Sequence, residues 1–248
     1  MRHCAASYGF LAVLVLGIML AGCSSPTTPR REPQGAEYGL LERTSPENVL
    51  TNLRIIYGDV DSLVVKAEDA HYWAERYEEL FHPDSSVFKF HFVIGEEPPG
   101  TPDPWWGIRD EVASFDNLLS AVASGLVEDV RLDWFLHPCE PDDRVDPDSG
   151  ELLHPDWEWI RVSSILLDVD FGDMIYRVTN GLADFYLSSD PADSTLWVVA
   201  EWFDKGVLYC EDRTSKSAFG NVINGTNARD LSATGEPTTW GRIKGLFM

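Results

Sequence analysis

Apolar residues recur at helical spacing in the first half of the chain. One predicted helix has Ser45 as its N-cap, Pro46 at its first helical position and Gly58 at its C-terminal end. The apolar residues between these points fall on one helix face. Residues 61–80 predict one or two further helices with an aromatic stripe typical of a core, and residues 108–125 predict another amphipathic helix.

Alternation of polar and apolar residues predicts strands elsewhere. Residues 87–94 alternate strictly, with phenylalanines on one face. Four longer strand-like segments follow, at residues 127–138, 157–171, 174–187 and 196–210. This order predicts an α+β fold, in which a curved antiparallel sheet carries the N-terminal helices on its concave face and forms a cone. Residues 238–248 predict a short closing helix or an edge segment.

The N-terminus has the pattern of a secretory leader. Arg2 precedes an apolar run at residues 8–21, which is short for a membrane span. The run ends in the sequence LAGC, which resembles a bacterial lipobox, where a peptidase cuts before a lipid-bearing cysteine. We therefore predict a lipoprotein signal peptide at residues 1–22 and lipidation of Cys23. The alternative is an ordinary signal peptide with a chance cysteine.

The segment that follows predicts a tether and a location. Residues 23–43 are rich in Pro, Ser, Thr and charge, so we expect a lipidated, flexible tether before a domain at residues 44–248. In lipoproteins, a serine at the position of Ser24 usually permits export to the outer membrane. The expected location is therefore extracytoplasmic and lipid-anchored, at the outer membrane where the organism has one.

The charge of the chain limits its partners. The formal net charge is −22, from 41 acidic and 19 basic residues. Such acidity excludes nucleic acid as an expected partner, because phosphates attract Lys and Arg. It also argues against peripheral binding to anionic lipid, so the N-terminal lipid is the expected link to the membrane.

The cysteines leave two alternatives open. After processing, Cys139 and Cys210 remain, in a compartment that permits disulfides. A bond between them would close a loop of about 70 residues and stabilise the domain by roughly 4 kcal/mol. The other reading is two buried free thiols. No Cys-x-x-Cys metal or redox motif is present in the sequence.

Four segments carry a resemblance to a known superfamily. They are SPENVLTNLRIIYGDVD, RYEELFHPDSSVFKFHF, LWVVAEWFDK and TTWGRIKGLF. Together with the order of elements, they resemble bacterial lipoproteins of the nuclear transport factor 2-like superfamily, also called SnoaL-like or cystatin-like. The resemblance covers roughly residues 44–247. It implies a cone-shaped domain, in a superfamily where dimers through the open sheet face are common.

The superfamily also implies where chemistry would lie. Its enzymes, such as ketosteroid isomerases and scytalone dehydratases, use an Asp or His base with Tyr or Asp donors inside the cone. Residues of suitable type for the pocket are Tyr57, Tyr77, Tyr176, Asp184 and Glu201. Asp168 and Asp170 share one strand face. This arrangement indicates either a paired-carboxylate site or the solvent-exposed face near the end of a strand. Because no matching acid–base pair is evident, we predict no catalytic residue and no cofactor.

The functional expectation has two forms. The first is a lipid-anchored protein of the cell envelope with a non-catalytic binding or structural domain. The alternative is a small-molecule-binding protein or an acid–base enzyme, similar to an isomerase, dehydratase or cyclase, that uses the cone pocket. The nine tryptophans favour core packing. The more specific alternative is that some of them line a pocket for a small apolar or aromatic-stacking ligand.

Two His-Pro-Asp tripeptides, at residues 82–84 and 154–156, need an explanation. In J-domain cochaperones this tripeptide follows a basic helix, whereas the segment before His82 is acidic. We therefore predict turns at both tripeptides. The acidic stretch at residues 142–151 suggests calcium ligands, but it does not match an EF-hand loop, so a solvated loop is expected and no metal site is predicted.

Overall fold

The computed structural model describes residues 39–58, 67–98, 100–101, 103–207 and 239–248. The helices in these ranges are α1 (Pro46–Gly58), α2 (Ala67–Glu78), α3 (Ile108–Ala123) and α4 (Trp240–Gly245). The strands are β1 (Lys89–His91), β2 (Trp105–Trp106), β3 (Asp129–Leu136), β4 (Glu140–Pro141), β5 (Glu158–Asp170), β6 (Ile175–Ser189) and β7 (Trp197–Val207). The predicted signal peptide, Cys23 and Cys210 lie outside the described residues.

The fold is α+β, as predicted, and it contains one open sheet of seven strands. The strands follow the order β2-β1-β7-β6-β5-β3, and β4 pairs with β5 beyond the end of β3. The expectation of a wholly antiparallel sheet is wrong at one position, because β1 runs parallel to β7, with Phe90 opposite Trp202. The chain between β1 and β7 is long enough to permit either direction, which local alternation cannot reveal.

Two irregular positions bend the long strands and keep their apolar residues on one face. Ser164 in β5 and Asn180 in β6 have positive φ angles of 55° and 56°, and the strand registers shift beside them. A bulge adds one residue, so the alternation of side chains changes phase there. The buried apolar residues of β5 are accordingly Ile160 and Val162 before the bulge and Ile165, Leu167 and Val169 after it.

The helices cover that apolar face. Tyr57 of α1 has its ring centroid 5.2 Å from that of Phe115 in α3 and 5.5 Å from that of Trp240 in α4. Trp240 in turn lies 4.4 Å from Trp202 of β7 and 5.6 Å from Trp134 of β3. The C-terminal segment therefore forms a helix, and this helix packs between the sheet and α1.

The His-Pro-Asp tripeptides lie in turns, as predicted. The Asp84 carboxylate accepts the backbone N–H of Ser86 at 2.8 Å, and the backbone N–H of His82 donates to the carbonyl of Val199 at 2.9 Å. The His154 ring stacks on Trp157 with a centroid distance of 3.6 Å. The hydrogen bonds of Asp84 and His82 fix the turn before β1 and join it to β7, and the ring contact of His154 fixes the turn before β5. Among the described residues, no helix is long and apolar enough to cross a membrane.

Replacing Gly241 with alanine should destabilise the fold. A Cβ atom built at Gly241 would lie 2.7 Å from Cδ1 of the buried Phe92 ring. We expect a loss of about 1–3 kcal/mol in the free energy of unfolding, as for other overpacked sites, measured by urea denaturation. Gly245→Ala in the same helix is the control, because its nearest contact is the half-exposed Pro98 ring at 3.3 Å. Equal losses at both positions would contradict the prediction.

Candidate functional site

Glu111 places a carboxylate inside the apolar core. It lies in the first turn of α3, on the same face as Ile108 and Phe115, and its exposed fraction is 0%. Residues three and four apart share a helix face, so an acid between two core residues must point inward. A charge in that position requires partners, because an isolated buried carboxylate is very costly.

Side chains from three other elements, α2, α4 and β2, donate hydrogen bonds to this carboxylate. The Tyr77 hydroxyl of α2 and the Lys244 ammonium of α4 both donate to Oε1, the ammonium at 2.5 Å. The indole Nε1–H of Trp106 in β2 donates to Oε2 at 2.9 Å. Glu111 therefore joins two helices and an edge strand in one hydrogen-bonded cluster, which we call the interior cluster.

Aromatic rings surround the ammonium group of Lys244, whose exposed fraction is 2%. Its Nζ lies 3.5 Å from the ring centroid of Trp202 and 3.8 Å from that of Phe90. The Trp240 ring, one turn earlier on α4, is 5.7 Å away. Each ring presents negative potential to a cation, and such contacts gain strength where water is excluded. One carboxylate and three aromatic rings therefore stabilise the positive charge of Lys244 in the core.

A second buried carboxylate fixes the start of α4. Asp204 of β7 accepts the backbone N–H groups of Gly206 at 2.9 Å and of Gly241 at 2.7 Å. Thr239 caps the helix by accepting the backbone N–H of Arg242 at 3.3 Å. A Cβ atom at Gly241 would lie 2.7 Å from the Phe92 ring and 3.4 Å from Oδ2 of Asp204, which explains why a residue without a side chain stands there.

Burial controls the protonation of the interior cluster. It lowers the pKa of Lys244 to about 8, although Glu111 and Asp204 oppose the shift. It raises the pKa of Tyr77 and of Tyr57 above their ordinary range, and the negative charge of Glu111 adds to both effects. Burial also raises the pKa of Asp204. At neutral pH the tyrosines are therefore neutral hydrogen-bond donors and Lys244 is a cation.

Two of the five predicted pocket residues belong to this interior. Tyr77 is part of the cluster, and its ring stacks on Phe115 with a centroid distance of 3.9 Å. Tyr57 lies 5.7 Å from Tyr77, ring to ring. Tyr176 is also buried, but its ring contact is Phe171 at 5.5 Å, away from the carboxylate.

The other two predicted pocket residues lie on the opposite face of the sheet. Asp184 accepts Nε of Arg161 at 2.8 Å, and Glu201 accepts Nη1 of Arg144 at 2.5 Å. Glu201 precedes the inward-facing Trp202, and adjacent strand residues point to opposite faces. The structure therefore separates these two carboxylates from Glu111.

The acidic stretch contributes an ion pair to that outer face. Arg144 contacts Asp142 at 2.7 Å, and its guanidinium lies 3.5 Å from the ring centroid of Tyr186. In the described part of the chain, no group of three or more His, Cys, Asp and Glu residues is placed to hold a metal ion. Asp168 pairs with Arg177 at 2.6 Å, whereas Asp170 accepts the backbone N–H of Gly172 at 2.7 Å.

Cys139 is a free thiol in the structure, with its sulfur 3.6 Å from Oε2 of Glu158. Burial raises the pKa of this thiol to about 12, and the negative charge of Glu158 adds to the shift. Cys210 lies outside the described residues, so the Cys139–Cys210 bond stays a prediction.

The two residues that matter most were missed by the reasoning from sequence. Neither Glu111 nor Lys244 is among the pocket residues that the sequence suggests. The signal was present in the helical spacing: Glu111 falls between Ile108 and Phe115, and Lys244 falls between Trp240 and Phe247. A charged residue on the apolar face of each of two helices predicts a buried ion pair.

Comparison with known proteins finds similarity among solved structures alone. No protein-family model matches the chain, and no curated protein matches it. Among solved structures, the chain is similar to a nuclear transport factor 2-like protein with a cystatin-like fold from Novosphingobium aromaticivorans. The two are 13% identical, the match covers 78% of this chain and 88% of that chain, and the TM-score is 0.34.

Breaking the buried pair should cost far more than replacing it. Removing one partner of a buried ion pair typically costs about 3–5 kcal/mol, because the other charge stays buried and unpaired. We expect Glu111→Gln and Lys244→Met each to lower the free energy of unfolding by that order. The double variant should lose less than the sum of the two, by at least about 1 kcal/mol. A double-mutant cycle in urea measures this coupling, and additive losses would contradict it.

The titration of Lys244 predicts a specific pH dependence. Its folded pKa of about 8 lies below its ordinary value of 10.5, so between these values the unfolded chain binds the proton more tightly. Stability contributed by this group therefore rises with pH from 8 to 10. We expect the free energy of unfolding of the wild type to increase relative to that of Lys244→Met over this interval. Because both proteins contain the tyrosines, the tyrosine titrations cancel in the difference between their free energies of unfolding. A difference that does not change with pH would refute the assignment.

Proposed function

We propose that this chain is a lipid-anchored protein of the cell envelope with a non-catalytic binding or structural domain of the nuclear transport factor 2-like type. The lipobox-like sequence ending at Cys23 supports the anchor and an extracytoplasmic location, at the outer membrane where the organism has one. The order of elements and the four sequence segments support the superfamily. The net charge of −22 argues against a nucleic acid partner.

One observation supports the absence of catalysis. The interior carboxylate of Glu111 already accepts hydrogen bonds from Tyr77, Trp106 and Lys244, and its exposed fraction is 0%. A general base must come within hydrogen-bond reach of the proton that it removes. With α4 in place, the chain itself fills the positions that a substrate would need.

The alternative is an acid–base enzyme or a small-molecule-binding protein that uses the same interior. The observation in its favour is the meeting of Glu111, Tyr77 and Lys244, whose lysine has a pKa of about 8. Perturbed groups of this kind concentrate at functional sites. This alternative requires that α4 move to admit a ligand. Because α4 carries Lys244, the acid–base groups that then remain in the interior are Glu111 and Tyr77.

Two measurements on one preparation test the proposal. We expect the wild type to fractionate with membranes and to carry a lipid mass on Cys23, and we expect Cys23→Ser to lose both. Native mass spectrometry of the detergent-released protein should then give a clean mass without a bound small molecule. A molecule that leaves on unfolding would favour the alternative, and a doubled mass would indicate the homodimer that the resemblance implies. A Cys23→Ser variant that stays on the membrane would refute the anchor.

A further inference from the structure

The surroundings of the Lys244 ammonium have the composition of a cation-binding cage. Nζ contacts one carboxylate oxygen of Glu111 at 2.5 Å and lies within 4 Å of the ring centroids of Phe90 and Trp202. Proteins that recognise organic ammonium ions use the same combination of aromatic faces and a nearby acid. Here the ammonium group belongs to the protein itself.

Most of the cage does not move with the lysine. Phe90 and Trp202 stand opposite each other on paired strands, with ring centroids 5.0 Å apart. Glu111 is held by Tyr77 and by Trp106, whose indole donates at 2.9 Å. Only the more distant ring of Trp240 comes from α4. Because sheet and helices position the walls, the cage remains organised when the ammonium group is supplied by another molecule.

Charge also favours a cation in this place. Among the described residues, Lys244 is the buried cation of the interior, and two buried carboxylates, Glu111 and Asp204, act on its charge. The chain as a whole has a net charge of −22, which raises the local concentration of cations at its surface. A buried ion pair is often no more stabilising than apolar residues of similar volume. Stability alone therefore gives no reason to place a lysine among these rings.

The hydrogen bonds that hold α4 are of a kind that water can replace, whereas its ion pair and its buried apolar side chains are the larger cost of undocking. Ser114 donates to the carbonyl of Lys244 at 3.1 Å, and Asn117 donates to the carbonyl of Phe247 at 2.7 Å. Asp204 accepts the N–H of Gly241. Water can replace each of these hydrogen bonds at a modest cost. The helix has six residues, from Trp240 to Gly245, too few to be stable without its packing.

We propose that this cage is a binding site for organic ammonium ions, that Lys244 occupies it as an internal ligand, and that an amine-bearing small molecule competes with α4 for it. The inference rests on the alternative function, a small-molecule-binding protein that uses the same interior, and names the class of its ligand. In the closed state α4 is docked and Lys244 occupies the cage. The amine binds the state in which α4 has left the cage and so increases the population of that state.

Chemical rescue tests the cage directly. Lys244→Ala in the full chain, kept in non-ionic detergent, removes the atoms that n-propylammonium contains, namely three carbons and the ammonium group. We expect n-propylammonium chloride at saturation to raise the Tm of this variant by about 4 °C or more. Sodium chloride at equal ionic strength and 1-propanol, which has the same shape without the charge, should have less than about a third of that effect.

The matched control removes the acid as well. Glu111→Gln/Lys244→Ala has the same cavity without the carboxylate, so n-propylammonium should no longer raise its Tm more than 1-propanol does. Equal rescue of both variants, or equal rescue by the alcohol, would overturn the cage. These outcomes leave the membrane fractionation of Cys23→Ser untouched, so failure of the cage and failure of the anchored module are distinguishable.

A measurement on the wild type covers the case in which Lys244→Ala does not fold. Hydrogen exchange read by mass spectrometry reports how often residues 239–248 leave their place. With n-propylammonium or tetramethylammonium chloride, we expect the amides of α4 to exchange at least about threefold faster, while those of α3 exchange as before. Unchanged exchange in α4, relative to sodium chloride, would overturn the competition between amine and helix.

Discussion

The ion pair between Glu111 and Lys244 is the interaction on which the interior of this domain depends. It joins residues 133 positions apart, and both partners are buried. In a medium of low dielectric constant the attraction between the charges is strong, but each charge is costly without the other. Through this one carboxylate, Lys244 of α4, Tyr77 and Trp106 are joined in a single buried cluster.

The two faces of the sheet use charge differently. On the covered face, opposite charges from distant helices meet among aromatic rings, where water is excluded. On the outer face, Arg161 pairs with Asp184 across neighbouring strands, and Arg144 of the loop after β4 pairs with Glu201 of β7, partly in contact with solvent. Ion pairs of the second kind contribute little each. The bulge at Ser164 maintains this division, because it keeps the apolar side chains of a long strand on one face.

Periodicity predicted the elements well and the interior poorly. The N-cap Ser45 and the glycines at 58 and 125 mark where α1 starts and where α1 and α3 end, because these signals are local. The direction of β1 depends on pairing between distant segments, so local alternation could not assign it. The outward faces of Asp184 and Glu201 follow from alternation with their buried neighbours, once the covered face of the sheet is known. Glu111 and Lys244 become a pair only when two helices meet, although each carries the mark of a charge on an apolar face.

The order of the two ion-pair partners along the chain, in which Glu111 lies 133 residues before Lys244, has a consequence for biosynthesis. A chain is synthesised from its N-terminus, so Glu111 is made long before Lys244, the residue that neutralises its charge. A polypeptide that stops short of α4 keeps an uncompensated acid in an apolar interior and exposes the rings that α4 covers. The charge balance in the interior of this domain is therefore reached only after α4 has been synthesised.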